Sequence, residues 1–159
     1  MSSEQSEANA APKHAPKLVP KLVPQLVHTM RMPIRWGDMD AMGHVNNTNY
    51  FRYIESARIA WLEQVGGLAN PTGEGPVIVS ASMNFIKQLT YPGEIEVRTY
   101  VSPPGRSSVE VSHDIRLVGA DGQPGDVHAE GTAKVVWVDF RIGKSAPLPE
   151  SLRAELPVA

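Results

Sequence analysis

An α+β architecture, one long helix wrapped by a curved antiparallel sheet, is what this sequence predicts, and three observations carry it. Only one stretch, near residues 46–67, keeps helical spacing over many turns. From residue 76 onward the chain reads as long strands broken by turn signals. A single helix cannot cover both faces of such a sheet, so the sheet must curl around it. At 159 residues the chain fits one domain.

Residues 1–28 differ from the rest. "SSEQSEANAAPKHAPKLVPKLVPQLVH" ends in a repeated unit, PKLV-PKLV-PQLV. A proline at every fourth position removes amide donors that a helix or central strand needs. These residues are expected to form a flexible Pro-rich tail without chemistry, and residues 29–159 the folded domain. "TMRMPIRW" (29–36) has strand character and leads into the Gly37-Asp38 turn signal. In "NNTNYFRYIESARIAWLEQVGG", Tyr50, Ile54, Ala57, Trp61 and Val65 recur at spacings of three and four. Asn46, Asn47, Thr48 and Asn49 offer N-caps, and Gly66-Gly67 a stop. Strands follow over 76–89, 94–104, 107–118 and 127–140, separated by "TYPGE", "PPGR" and "GADGQPGD". "PLPESLRAEL" (147–156) adds a short terminal helix. The exposed sheet edge calls for a second copy of the chain.

Composition narrows the function. A net charge of -2 argues against a nucleic-acid surface, though a local basic groove for a phosphorylated cofactor stays open. Without cysteine there is no disulfide framework, thiolate nucleophile or Cys-based zinc site. No apolar run spans a bilayer, and no secretory leader stands at the start, so a cytoplasmic location is expected.

Chemistry concentrates in "RWGDMDAMGHVNNTNYFRYIESAR", residues 35–58. An EF-hand beginning at Asp38 fails, because Met42 puts a thioether at position 5 and Asn49 lacks the bidentate carboxylate of position 12. A phosphatase-type Asp-x-Asp needs a parallel sheet that this chain lacks. "GKS" at 143–145 has Val138 where a P-loop needs its first glycine. No Gly-x-Ser-x-Gly elbow occurs, and the five histidines form no zinc pair. What remains is a carboxylate just ahead of a helix start. Helix-terminal N–H groups carry partial positive charge and can hold a developing oxyanion. The amides of Asn46, Asn47 and Thr48 would stand there. An ionised Asp40 can attack a carbonyl or draw a proton from water. Gly43 lets the backbone turn sharply between them. The alternative stays open at this point: Asp38 or Asp40 could stabilise the turn by Asx-type bonds. His44 could structure the loop, and Asn46 and Asn47 could act as caps.

The segment "DMDAMGHVNNTNYFRYIESAR" resembles the signature of hotdog-fold acyl-CoA thioesterases of the 4-hydroxybenzoyl-CoA thioesterase family. The likeness continues through "VIVSASMNFIKQLTYPGE", "GRSSVEVSHDI" and "HAEGTAKVVWVDFRIGKSAPLP", roughly residues 30–155. The resemblance implies a hotdog fold, edge-paired as a homodimer or homotetramer, with active sites at the subunit interface. It implies an acyl-CoA substrate and no metal or redox cofactor. The family's catalytic aspartate matches Asp40, and its carbonyl-polarising amide falls at Asn47. Gly43, His44, Val45 and Asn46 become substrate-binding neighbours. Lys87, Arg106 and Ser107 become candidates for contacting coenzyme A, whose phosphates favour such side chains. Glu55 aligns with a carboxylate used by another branch, but a pairing with Arg52 or Arg58 suits it better. Two rivals differ in kind. One is a hotdog dehydratase or hydratase with His44 as base, although the Phe-Pro that usually follows their Gly-His is missing. The other is a non-catalytic acyl-CoA-binding module.

Overall fold

The computed structural model describes residues 23–158, so the first two PKLV units and everything before them lie outside the described residues, apart from Val23. The first strand, β1 (Gln25–Ile34), begins at Gln25, earlier than the start expected near Thr29. The last PQLV unit is recruited because Gln25 and Leu26 pair with Val101 and Tyr100, and a register shift between Leu26 and His28 absorbs Val27. Pro24 precedes the ladder, on an edge strand, where a missing donor costs no sheet hydrogen bond.

Helix α1 (Asn47–Gln64) follows. Its cap is Asn46, whose Oδ1 accepts the Thr48 N–H at 2.9 Å. Gly66, at φ +68°, ends it in a left-handed conformation suited to glycine. Tyr50, Tyr53, Ile54, Ala57, Trp61 and Leu62 are buried, whereas Val65 is half-buried. Each large apolar side chain contributes about 1.5–3 kcal/mol by leaving water. That burial, not intrinsic propensity, holds the helix against the sheet.

The sheet then runs through β2 (Glu74–Phe85), β3 (Gly93–Val101), β4 (Ser108–Val118), β5 (Pro124–Asp139) and the short β6 (Lys144–Ser145), before α2 (Glu150–Ala154). Strand order is β1-β3-β4-β5-β2, antiparallel throughout, with β6 paired to β5. The two-residue β6 carries no sequence signal and was not expected. β2 stops at Phe85, short of the expected residue 89, because the Ile86 and Lys87 amides both turn onto the His128 carbonyl at 2.9 Å.

Along β4 and β5, alternate residues point inward under the helix: Val109, Val111, His113 and Ile115, then Ala129, Gly131, Ala133, Val135 and Trp137. Gly131 marks the closest approach, since a Cβ there would lie 3.0 Å from Ile54 Cδ1 and 3.1 Å from Met83 Cε. The core divides into two clusters. One gathers Tyr50, Tyr53 and Ile54 with Ile34, Leu89, Ile95 and Ile115, and the other gathers Trp61 and Leu62 with Val101, Val111 and Leu152. β2 pairs only with β5, so its outer edge is unpaired among the described residues, and Val77, Ile78, Val79 and Phe85 are exposed. No helix among the described residues is long and apolar enough to cross a membrane.

Candidate active site

The two acids of Asp-x-Asp have different surroundings. Trp36–Asp38 forms a single 3-10 turn that swings the Asp38 side chain inward to 4% exposure. Its carboxylate accepts the Arg35 amide at 2.9 Å and the Tyr53 hydroxyl at 2.7 Å, and pairs with the Arg35 guanidinium at 3.1 Å. Burial alone would raise the Asp38 pKa, but these donors outweigh it and hold the carboxyl below its usual range. Burial first, and the hydrogen bond donated to Asp38 second, push the Tyr53 phenol up. The backbone of Asp38 is engaged as well. Its carbonyl accepts the Asn46 amide at 2.9 Å and the Asn49 side-chain amide at 2.8 Å. One buried residue thus ties the loop to the helix start.

Asp40 lies beyond this anchor and is half-buried. Its amide donates to the His44 carbonyl at 2.9 Å, and its carbonyl accepts the Gly43 amide at 3.1 Å, closing a tight turn. Gly43 sits at φ +81°, where other residues are strained. Oδ1 of Asp40 accepts the Met42 amide at 2.8 Å. The Asx-type bond weighed from the sequence therefore exists, at Asp40. Oδ2 has no hydrogen-bond partner among the described residues, so one carboxylate oxygen is anchored and the other is unpaired. Val45 is buried, bridges Met39 and donates to the Leu89 carbonyl at 2.8 Å, which pins the far side of the loop to the core.

Asp40, Met42, His44, Val45, Asn47 and Tyr50 line one side of an open cavity of about 780 Å³, and Phe85, Ile86, Lys87 and Gln88 line the other. At the helix start, Thr48 N–H is taken by Asn46 Oδ1 and Asn49 N–H by the Asn46 carbonyl, each at 2.9 Å. The Asn47 amide has no acceptor among the described residues. Asp40 and the residue that carries the unsatisfied helix-terminal amide thus line one cavity. Tyr50 stiffens its floor, with its hydroxyl accepting the Leu89 amide at 3.1 Å and its ring edge-on to Phe85 at 5.1 Å.

The other expected residues divide. Asn46 acts as the cap, and Lys87 lines the cavity while its ammonium pairs with Asp126. Arg106 and Ser107 do not reach this cavity within one protomer. Their carbonyls accept the Leu148 and Trp137 amides at the far end of β5, whereas Phe85 pairs with Ala129. Between Ala129 and Val136, the partner of Ser108, lies about 23 Å of strand. Glu55 pairs with Arg52 at 3.3 Å and not with Arg58. No group of three or more His, Cys, Asp or Glu side chains suited to a metal ion occurs among the described residues. The sequence reading missed Tyr53 as a partner of Asp38, and it missed Ile86 and Gln88 as cavity wall.

The Thioesterase-like superfamily matches over residues 34–156. The chain belongs to the thioesterase-like superfamily. The helix wrapped by an antiparallel sheet is its hotdog fold. The PA2801 protein of Pseudomonas aeruginosa, a candidate thioesterase, is 39% identical at a TM-score of 0.73, over 82% of this chain and 98% of that one. A candidate acyl-CoA thioesterase from Xanthomonas campestris is 34% identical at a TM-score of 0.63, over 71% of this chain and 93% of that one. The acyl-acyl carrier protein thioesterase ATL3 of Arabidopsis thaliana, a chloroplast protein, is 26% identical over 80% of this chain. The chain spans 66% of that relative's length, just under two-thirds. Superfamily membership and these relatives support thioester hydrolysis as the reaction class.

Proposed function

We propose that the protein hydrolyses acyl-CoA thioesters to the free carboxylic acid and coenzyme A, in the manner of the 4-hydroxybenzoyl-CoA thioesterase family. The observation that carries the proposal is the cavity lined by both Asp40 and Asn47, the residue whose amide is left unsatisfied at the helix start. In this reading the thioester carbonyl oxygen sits on the Asn47 N–H with its carbonyl carbon facing Asp40. Oδ2 of Asp40 can add to that carbon; the oxyanion collapses, coenzyme A leaves as thiolate, and water cleaves the resulting mixed anhydride. Alternatively Asp40 takes a proton from a water that adds directly. Both routes build negative charge on the same oxygen, where a preorganised donor helps most.

The Xanthomonas relative supports coenzyme A as the carrier, whereas ATL3 keeps acyl carrier protein as the competing one. Lys87 lines the cavity, and its ammonium would exchange Asp126 for the coenzyme's phosphates. Arg106 and Ser107 can serve that purpose only from a second copy. A homodimer or homotetramer formed along the free β2 edge would supply one, and a cytoplasmic setting would supply the substrate. His44 also lines the cavity, which is the one observation favouring the hydratase reading. Enoyl absorbance with 3-hydroxyacyl substrates separates the two.

The decisive variants are Asp40→Asn and Asp40→Ala. Each should lower thiol release from acyl-CoA by at least about 10²-fold, the lower bound for losing a general base, with the oligomer intact. Wild-type rates in both variants would overturn the proposal, and tight acyl-CoA binding without turnover by the wild type would favour a non-catalytic binding module.

A further inference from the structure

The 3-10 turn Trp36–Asp38 sends its two ends in opposite directions. Asp38 goes inward, whereas Trp36 is 78% exposed, an unusual state for so large an apolar side chain. Trp61 and Trp137, by contrast, are buried. The backbone around Trp36 is fixed, because its carbonyl accepts the Met39 amide at 3.2 Å. Tyr91, also exposed, is tied to the same segment through its amide, which donates to the Met39 sulfur at 3.3 Å. An indole and a phenol thus stand in solvent on held backbone, the kind of surface that binds at low conformational cost.

Trp36, Tyr91, Met39, Gly37, Gly43 and Asp40 line a separate open cavity of about 480 Å³. A Cβ on Gly37 or Gly43 would meet no atom within 4 Å, so the two glycines leave room. Apart from Asp40 no lining residue is charged, and the rings and the thioether make the walls apolar. Asp40 is also the one residue this cavity has in common with the larger cavity, of about 780 Å³. None of the lining residues belongs to β2, whose free edge would take a second copy.

A thioester has the same layout, one reacting carbonyl with two dissimilar arms: the acyl chain on carbon and the carrier on sulfur. The larger cavity has Lys87, His44, Asn47 and Gln88 in its wall, which suits a polar, phosphorylated carrier. The smaller one has rings, a thioether and glycines, which suits a hydrocarbon. The adenine of coenzyme A would also stack on an indole. It lies at the far end of the pantetheine arm, however, whereas this cavity adjoins the residue set against the carbonyl in the reading above.

We propose that the cavity lined by Trp36 and Tyr91 takes the acyl chain, making uncharged hydrocarbon acyl groups preferred over acetyl. This rests on the acyl-CoA reading above. The test compares kcat/KM for octanoyl-CoA and acetyl-CoA in the wild type, Trp36→Ala, Trp36→Phe and Tyr91→Ala. The wild type should favour octanoyl-CoA. Trp36→Ala should lower the octanoyl-to-acetyl ratio by about tenfold or more, the scale of one lost apolar contact surface, and Trp36→Phe should restore most of it. An unchanged ratio in Trp36→Ala overturns the proposal, and if that variant fails to fold, Tyr91→Ala decides in the same way. Should Trp36→Ala dissociate the oligomer with the ratio unchanged, the indole belongs to a subunit contact and the proposal falls. Iodide quenching of tryptophan fluorescence reads the site without turnover, because it reaches Trp36 and not the buried Trp61 and Trp137. Octanoate, the product acid, should protect Trp36 saturably. Absence of that protection, or protection by coenzyme A in its place, overturns the proposal. A wild type that is protected by octanoate but cleaves no acyl-CoA defeats the hydrolase reading alone.

Discussion

Lowering the pH from 7 to 5 should weaken the fold through one buried imidazole. His113 is 2% exposed on β4, with Nδ1 3.1 Å from the Thr99 hydroxyl and Nε2 without a partner. Burial, and then the Arg58 charge, pull its pKa down to about 3 from an ordinary 6.5. In the unfolded chain the ring takes up a proton below pH 6.5, while in the native protein it resists until about pH 3. Stability is therefore full above pH 6.5 and is lost as pH falls, by about 1.4 kcal/mol per unit once well below 6.5. Between pH 7 and 5 this amounts to about 2 kcal/mol. Asp38 and Glu96 also have lowered values, but their stabilisation is lost only below the ordinary carboxylate range, under pH 4.5. Urea midpoints at fixed protein concentration, at the two pH values, measure the loss in wild type and His113→Leu. The variant leaves the Thr99 hydroxyl unpaired, at about 1 kcal/mol, but at both pH values alike. Its loss between pH 7 and 5 should be smaller than the wild type's by about 2 kcal/mol. Equal losses would refute the reasoning.

Three further variants probe the loop and helix start. Tyr53→Phe removes a charge-assisted hydrogen bond to Asp38 and should cost about 1.5–3 kcal/mol by urea unfolding; thiol release should show a lower kcat with little change in KM. Asn46→Ala deletes the α1 cap, at about 1 kcal/mol, and should lower kcat because the neighbouring Asn47 amide loses its fixed aim. Gly43→Ala forces a side chain into φ +81° and should cost about 1 kcal/mol, read as a lower midpoint. An unchanged midpoint in any of the three would show that the bond or angle named is not stabilising.

The helix was legible almost to the residue. Its caps are local, and its apolar spacing repeats over four turns, so Asn46 and Gly66 bound it as expected. The strands were legible in number and order but not at their ends. β1 starts inside a Pro-rich repeat because β3 offers it a partner, and β2 stops where His128 draws two amides aside. Neither partner is visible in the segment itself. At the site, sequence order brought Asp40 near a helix start, and the fold puts Asp40 and Asn47 along one cavity. The inward turn of Asp38 rests on Tyr53, fifteen residues away, and has no local signature. Arg58 belongs to the same class. Its burial, beside the exposed Arg52 and Glu55, is not visible in a run of alternating charges.

The two sides of the Asp40 cavity are built unequally. The Asp40 loop and the start of α1 ride on one block, clamped together by Asp38, like the fixed jaw of a vice. The opposing jaw, from Phe85 to Gln88, is the trailing end of a strand held along one side only. On the proposed function, substitutions in that outer jaw should change substrate preference while leaving the Asp40 loop in place, which makes it the first place to engineer.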